Sequence, residues 1–123
     1  MHRSMLQVYV KQSDRAVAFY QKAFGAELTA SYPHDDGTFM HAELNVYGQI
    51  LAVSEASKEE ARVTGTTMQF CLHFGAGNEA LVEKAYGVLK DGAAVIYPLG
   101  ACSYSPLMTD LIDRYGVRWC IFV

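Results

Sequence analysis

The sequence has no apolar run near the roughly 20 residues that a membrane helix needs, so no membrane partner is expected. Its opening, Met1-His2-Arg3-Ser4-Met5, lacks the long apolar region of a signal peptide. A cytoplasmic location is therefore the default expectation. Cysteine is scarce: Cys71, Cys102 and Cys120 are an odd number at wide spacing, with no CxxC pair. That argues against a disulfide framework and fits reduced thiols. A basic stripe is missing as well. Ten basic and thirteen acidic residues are scattered to a net charge of −3, so nucleic acid is not an expected partner. No Gly-rich loop follows a strand in the way dinucleotide sites require, and no cofactor is expected.

What is present is ordinary globular material. The chain has 123 residues, 51% hydrophobic and 19% charged, which is about one domain's worth and argues against disorder. A domain of that size buries roughly two-thirds of its unfolded surface, enough for a real core.

The order of elements repeats. Leu6 to Val10 is a short β-type run. Ser13-Asp14 then forms a helix N-cap signal, and Ala16, Val17, Phe19, Tyr20, Ala23 and Phe24 make one apolar stripe. Gly25 stands where a helix-ending glycine belongs. Strands are expected over 27–32, 38–47 and 49–54, with Tyr47-Gly48 as the tight turn between the last two. The stretch 55–67 is polar and reads as a linker. Met68 to Phe74 is a strand again, and Asn78 caps a second stripe of Leu81, Val82, Ala85, Tyr86, Val88 and Leu89. Strands follow at 93–97, 107–112 and 117–123, with 98–106 as a loop and Asp113-Arg114-Tyr115-Gly116 as a turn. Each half reads strand, helix, three strands, which an internal duplication explains economically.

Alternation along the strands separates two faces. Leu6, Val8 and Val10 oppose Gln7 and Tyr9; Met40, Ala42, Leu44 and Val46 oppose His41, Glu43, Asn45 and Tyr47; Met68, Phe70, Leu72 and Phe74 oppose Gln69, Cys71 and His73. One face is aliphatic enough to pack on a helix. The other carries Gln, Tyr, His, Asn and Cys, a set better suited to a partly enclosed cavity than to a plain water-facing sheet.

Three segments carry a resemblance. Val17-Ala18-Phe19-Tyr20-Gln21-Lys22-Ala23-Phe24-Gly25 resembles the A-x-x-FY-x-x-x-FG helix of the vicinal oxygen chelate (VOC), or glyoxalase/bleomycin-resistance, superfamily. Met40-His41-Ala42-Glu43-Leu44 resembles a strand of its PhnB-like branch, and Asp113-Arg114-Tyr115-Gly116-Val117-Arg118-Trp119 that branch's closing segment. The resemblance implies an α+β fold in which two βαβββ modules form an incomplete mixed-sheet barrel. It implies a single domain over 1–123, with module 1 at about 1–55, a linker at 56–67 and module 2 at about 68–123. A homodimer is implied too, and open sheet edges together with a polar linker long enough to let modules exchange agree with it.

Enzymes of the superfamily place a metal ligand on the first and last strand of each module. Those positions fall here near Met5 or Gln7, near Leu51 or Ala52, at Gln69 and at Cys120, and no carboxylate is among them. No metal is expected at such a site. The first expectation is thus a PhnB-like protein that binds a small molecule in the cavity between modules. His41 and Glu43, two apart on one strand and so on one face, are an acid–base or substrate-orienting pair, or else a structural pair. Gln7, Tyr9, Gln69, Cys71, His73 and Tyr104 are candidate ligand-binding residues. The alternative is a divalent-metal-dependent lyase, isomerase or dioxygenase using His41, Glu43 or His73 in an altered arrangement, and a third reading is a scaffold without ligand. His34 sits in a turn and reads as solvated, Trp119 as core, and Cys102 as a thiol with no neighbouring base to activate it.

Overall fold

A computed structural model describes residues 1–123, and the chain divides into two units, Met1–Arg62 and Val63–Val123. The first contains β1 (Leu6–Val10), α1 (Ser13–Phe24), β2 (Glu27–Pro33), β3 (Phe39–Val46) and β4 (Gln49–Glu55). The second contains β5 (Phe70–His73), α2 (Glu79–Leu89), β6 (Ala94–Gly100), β7 (Met108–Ile112) and β8 (Arg118–Phe122). The fold is α+β, with two βαβββ modules. Each holds a mixed four-stranded sheet, in the order β1-β4-β3-β2 in one and β5-β8-β7-β6 in the other. The first strand of each module runs parallel to its last, with Leu6 beside Leu51 and Phe70 beside Trp119. No helix is long and apolar enough to cross a membrane.

The apolar stripe of α1 lies on β1, β3 and β4. Val17, Tyr20 and Phe24 are buried there with Val8, Leu44, Leu51 and Val53. Tyr20 stacks along Phe24 at 6.5 Å. In the second module Val82, Ala85 and Leu89 of α2 share the core with Leu111, Trp119 and Ile121. Both helices end near the expected positions. Their starts are built differently from what the local sequence suggests. Ser13 does not cap its own helix: the N-cap is Gln12, in a left-handed conformation at φ 62°. The Glu55 carboxyl, at the end of β4, accepts from Gln12 N, Ser13 N and Ser13 Oγ at 2.8–3.1 Å. Asn78 occupies the α2 cap position, but its amide donates back to the Phe74 carbonyl.

The turn at Tyr47-Gly48 closes the β3–β4 hairpin, with both residues at positive φ (52° and 93°) and Val46 paired with Gln49. That is the two-residue turn whose twist matches the strands, and glycine at its second position adopts it without strain. At the other hairpin, Asp113 organises the turn. Its carboxyl accepts from Tyr115 N, Val117 N and the indole N–H of Trp119, all within 3.1 Å. This explains why an aspartate opens that segment and a tryptophan ends it.

Two strand limits depart from expectation. β6 runs on through Pro98 to Gly100. It is an edge strand, and its pairing with β7 is irregular between Tyr97 and Gly100, so the missing proline N–H interrupts no ladder. β5 begins only at Phe70, and Met68 stays exposed before it. Met40 is likewise on the aliphatic side of β3 but beyond the reach of α1: it is 60% exposed, against 0% for Leu44. Leu44→Ala should therefore cost about 2–5 kcal/mol in urea unfolding. Met40→Ala should stay within about 0.5 kcal/mol. A silent Leu44→Ala would show that the helix–sheet packing described here is wrong.

Candidate functional site

The face of the first sheet turned away from α1 carries the polar residues that alternation separates. On it Gln7 pairs with Ala52, and Ala52 with Glu43. Tyr9 pairs with Ser54, and His41 with Tyr32. The Gln7 amide donates to Ser54 Oγ at 3.0 Å, which fixes its orientation along the sheet. A cavity of about 950 Å³ opens at one end of this face. Gln7, Tyr9, His41, Ser54 and Glu55 contribute to its lining from the strands, His34 to Asp36 and Thr38 from the β2–β3 turn, and Ala56 to Lys58 from the chain after β4. Met40 and Ala56 add apolar surface.

His41 and Glu43 do meet, with Nε2 3.0 Å from Oε1. Glu43 nevertheless does not line the cavity. Arg3, from the segment before β1, closes over it with two parallel hydrogen bonds of 2.8 Å each. A planar guanidinium on a carboxylate is the strongest pairing of its kind, since each oxygen accepts a charge-assisted bond. The Arg3 hydrogen bonds and the His41 contact hold the Glu43 pKa down at about 2, against the opposing pull of burial. A carboxylate held in this way is a poor general base at neutral pH, because it has little tendency to take a proton.

The remaining candidate residues belong to the second unit and form a group of their own. Gln69 donates to Asp110 at 2.9 Å, and Arg118 grips the same carboxyl with bonds of 3.1 and 3.0 Å. His73 stacks face to face on Phe122 at 4.4 Å, and Tyr104 meets Phe122 edge-on. Cys71 is paired with Cys120. The Tyr104 hydroxyl lies 3.7 Å from Cys120 Sγ, and its pKa is pushed up to about 12 by that thiol and by burial.

The register refines the positions at which the resemblance places metal ligands. In the first module they are Gln7 and Ala52. In the second, Cys120 stands beside Cys71 rather than Gln69. An amide, a methyl and two thiols do not suit a hard divalent ion. No group of three or more His, Cys, Asp or Glu side chains is arranged to hold a metal.

Sequence reasoning passed over Arg3, Ser54 and the cavity-lining turn. Nothing local marks Arg3, whose partner is 40 residues away. His34, read as solvated, is exposed and also borders the cavity. Ser54 could have been found, since the parallel pairing of β1 with β4 puts it beside Tyr9.

Several solved structures share this fold over nearly their whole length. Protein PA1353 from Pseudomonas aeruginosa matches with a TM-score of 0.81 at 21% identity, covering 99% of this chain and 97% of that one. The PhnB protein from Bacillus cereus matches at 0.82 and 22%, covering 98% of each. The Arabidopsis thaliana gene product AT5G48480 matches at 0.69 and 23%, covering 100% and 99%. No curated protein matches the chain. The family model that does match spans residues 3–121, and the chain belongs to the Glyoxalase/Bleomycin resistance protein/Dioxygenase superfamily.

Proposed function

We propose that this chain is a PhnB-like binding protein of the superfamily, taking a small, partly apolar molecule in the cavity of its first module without a metal. The observation that carries the reading is the cavity itself. It sets Tyr9, His41, Ser54 and Gln7 beside the apolar surface of Met40 and Ala56, a mixture of orienting polar groups and contact area typical of ligand sites. The hard-metal donor set is missing, and Arg3 occupies Glu43, the carboxylate in contact with His41. Both facts favour binding over the metal-dependent lyase, isomerase or dioxygenase reading.

A thermal-shift screen of small polar and aromatic compounds tests this. A ligand at a hundred times its Kd stabilises the native state by about 2.7 kcal/mol. Tyr9→Ala and His41→Gln should weaken such a ligand about tenfold or more, a loss of about 1.4 kcal/mol. Ligands that bind both variants as they bind the parent would place the site elsewhere.

A homodimer is part of the same proposal. The edge strands β2 and β6 are exposed along most of their length, with Leu28 and Tyr32 uncovered on one and Val95, Ile96 and Tyr97 on the other. Unpaired edges with apolar side chains are surfaces that a second copy can cover. Light scattering at micromolar concentration should give twice the chain mass of 13.6 kDa; a monomer mass counts against the dimer.

The clamp on Glu43 has a pH signature. Its folded pKa lies below the ordinary 4.5, so the unfolded chain binds the proton first as pH falls. The stability that Glu43 contributes is complete above pH 4.5 and is lost as pH drops through about 2. Unfolding free energies measured across that window should fall more steeply for the parent than for Glu43→Gln. Parallel curves would show that the clamp does not form in solution.

A further inference from the structure

All three cysteines of the chain lie in the second module, and Tyr104 interacts with two of them. Its hydroxyl is 3.7 Å from Cys120 Sγ and also interacts with Cys102. Cys71, on the edge strand β5, is exposed, while its register partner Cys120, on the interior strand β8, is buried. Directly paired residues on neighbouring strands point to the same side of the sheet. We propose that Cys71 and Cys120 form a two-thiolate site for a soft monovalent metal ion, Cu(I).

The geometry separates this from the commoner fates of paired cysteines. Strands stand about 4.7–4.9 Å apart across a ladder, whereas disulfide Cβ atoms come within about 3.5–4.5 Å. Side chains paired across parallel strands project in the same direction, so their Cβ atoms stand about a strand spacing apart, at the outer limit of that range. The two thiols still lie within reach of each other and of a shared ion. The choice of ion follows from the donors. Thiolates select soft ions over hard ones. Structural zinc takes four ligands, and no third His, Cys, Asp or Glu completes a site here. Cu(I) is satisfied by two sulfurs in a near-linear arrangement.

The step balances without a change of oxidation state. Copper enters as Cu(I), each thiol gives up its proton to water, two Cu–S bonds form, and the complex carries a single negative charge. The Tyr104 hydroxyl is placed to donate to Cys120 Sγ and so to stabilise that charge. Asp110, whose like charge opposes it, is already held by Arg118 and Gln69. Cys71 gives the ion a way in from solvent, and the Phe122 and Tyr104 rings stand beside the buried partner.

An anaerobic titration tests the proposal, with the reduced full chain competing for Cu(I) against a coloured chelator such as bicinchoninate. The parent should withdraw one ion per chain and release two protons for each. Cys71→Ser and Cys120→Ser should each weaken binding by more than about a hundredfold, beyond the 10–100-fold that outer-shell changes cost. Tyr104→Phe, an outer-shell change, should cost about tenfold. Cys102→Ser should bind as the parent does. If Cys120→Ser fails to fold, Cys71→Ser decides, since that side chain is exposed. A parent that withdraws no copper, a Cys71→Ser protein that binds normally, or a Cys102→Ser protein that loses the ion would each overturn the assignment.

Discussion

The Glu55 carboxyl joins the parts of the first module. It accepts from the first two N–H groups at the start of α1 and from the Ser13 hydroxyl, while Ser13 Oγ in turn accepts from Phe39 N where β3 begins. A helix start leaves backbone donors without intrahelical partners, and here a strand three elements later supplies the acceptor. One side chain thus ties the end of β4, the entry of α1 and the entry of β3 into a single joint. The left-handed Gln12 is tolerated because this joint holds it. The same joint forms part of the cavity wall, so the site and the helix entry share one support.

Periodicity revealed most of the fold. The stripe ending at Gly25, the Tyr47-Gly48 turn and the alternation of Leu44 with Glu43 are local signals, and local signals survive without tertiary knowledge. The failures have a common cause. Ser13 has the chemistry of a self-cap, yet a distant carboxyl takes that place. Met40 has the parity of a core residue, yet the helix does not extend over it. Pro98 looks like a strand breaker, yet an edge position with broken pairing admits it. In each case the deciding partner lies far away in the chain.

The candidate site was less legible than the fold for the same reason. Alternation put His41, Glu43, Gln7 and Tyr9 on one face, and the sheet keeps them there. It could not show that Arg3 covers Glu43, nor that Cys120 pairs with Cys71. Register depends on which strands are neighbours, and the parallel pairing of first strand with last is a property of topology. The two modules use one topology for different surfaces. The first carries a clamped carboxylate beside an open cavity, the second a pair of thiols beside aromatic rings.

The parallel pairing of first and last strands also governs how the polypeptide can acquire its structure as it is made. Within each half, the opening strand has its only ladder partner in the strand that emerges last, so Leu6 waits for Leu51 and Phe70 for Trp119. Loop closure over such a span is slow compared with making a hairpin. The β3–β4 hairpin and α1 are available before the ring of contacts closes. Because that closure lies wholly within Met1–Arg62, the first half can reach its native sheet before the second half exists. The second half repeats the pattern: until β8 arrives, β5 stands unpaired, and the exposed thiol of Cys71 stands with it.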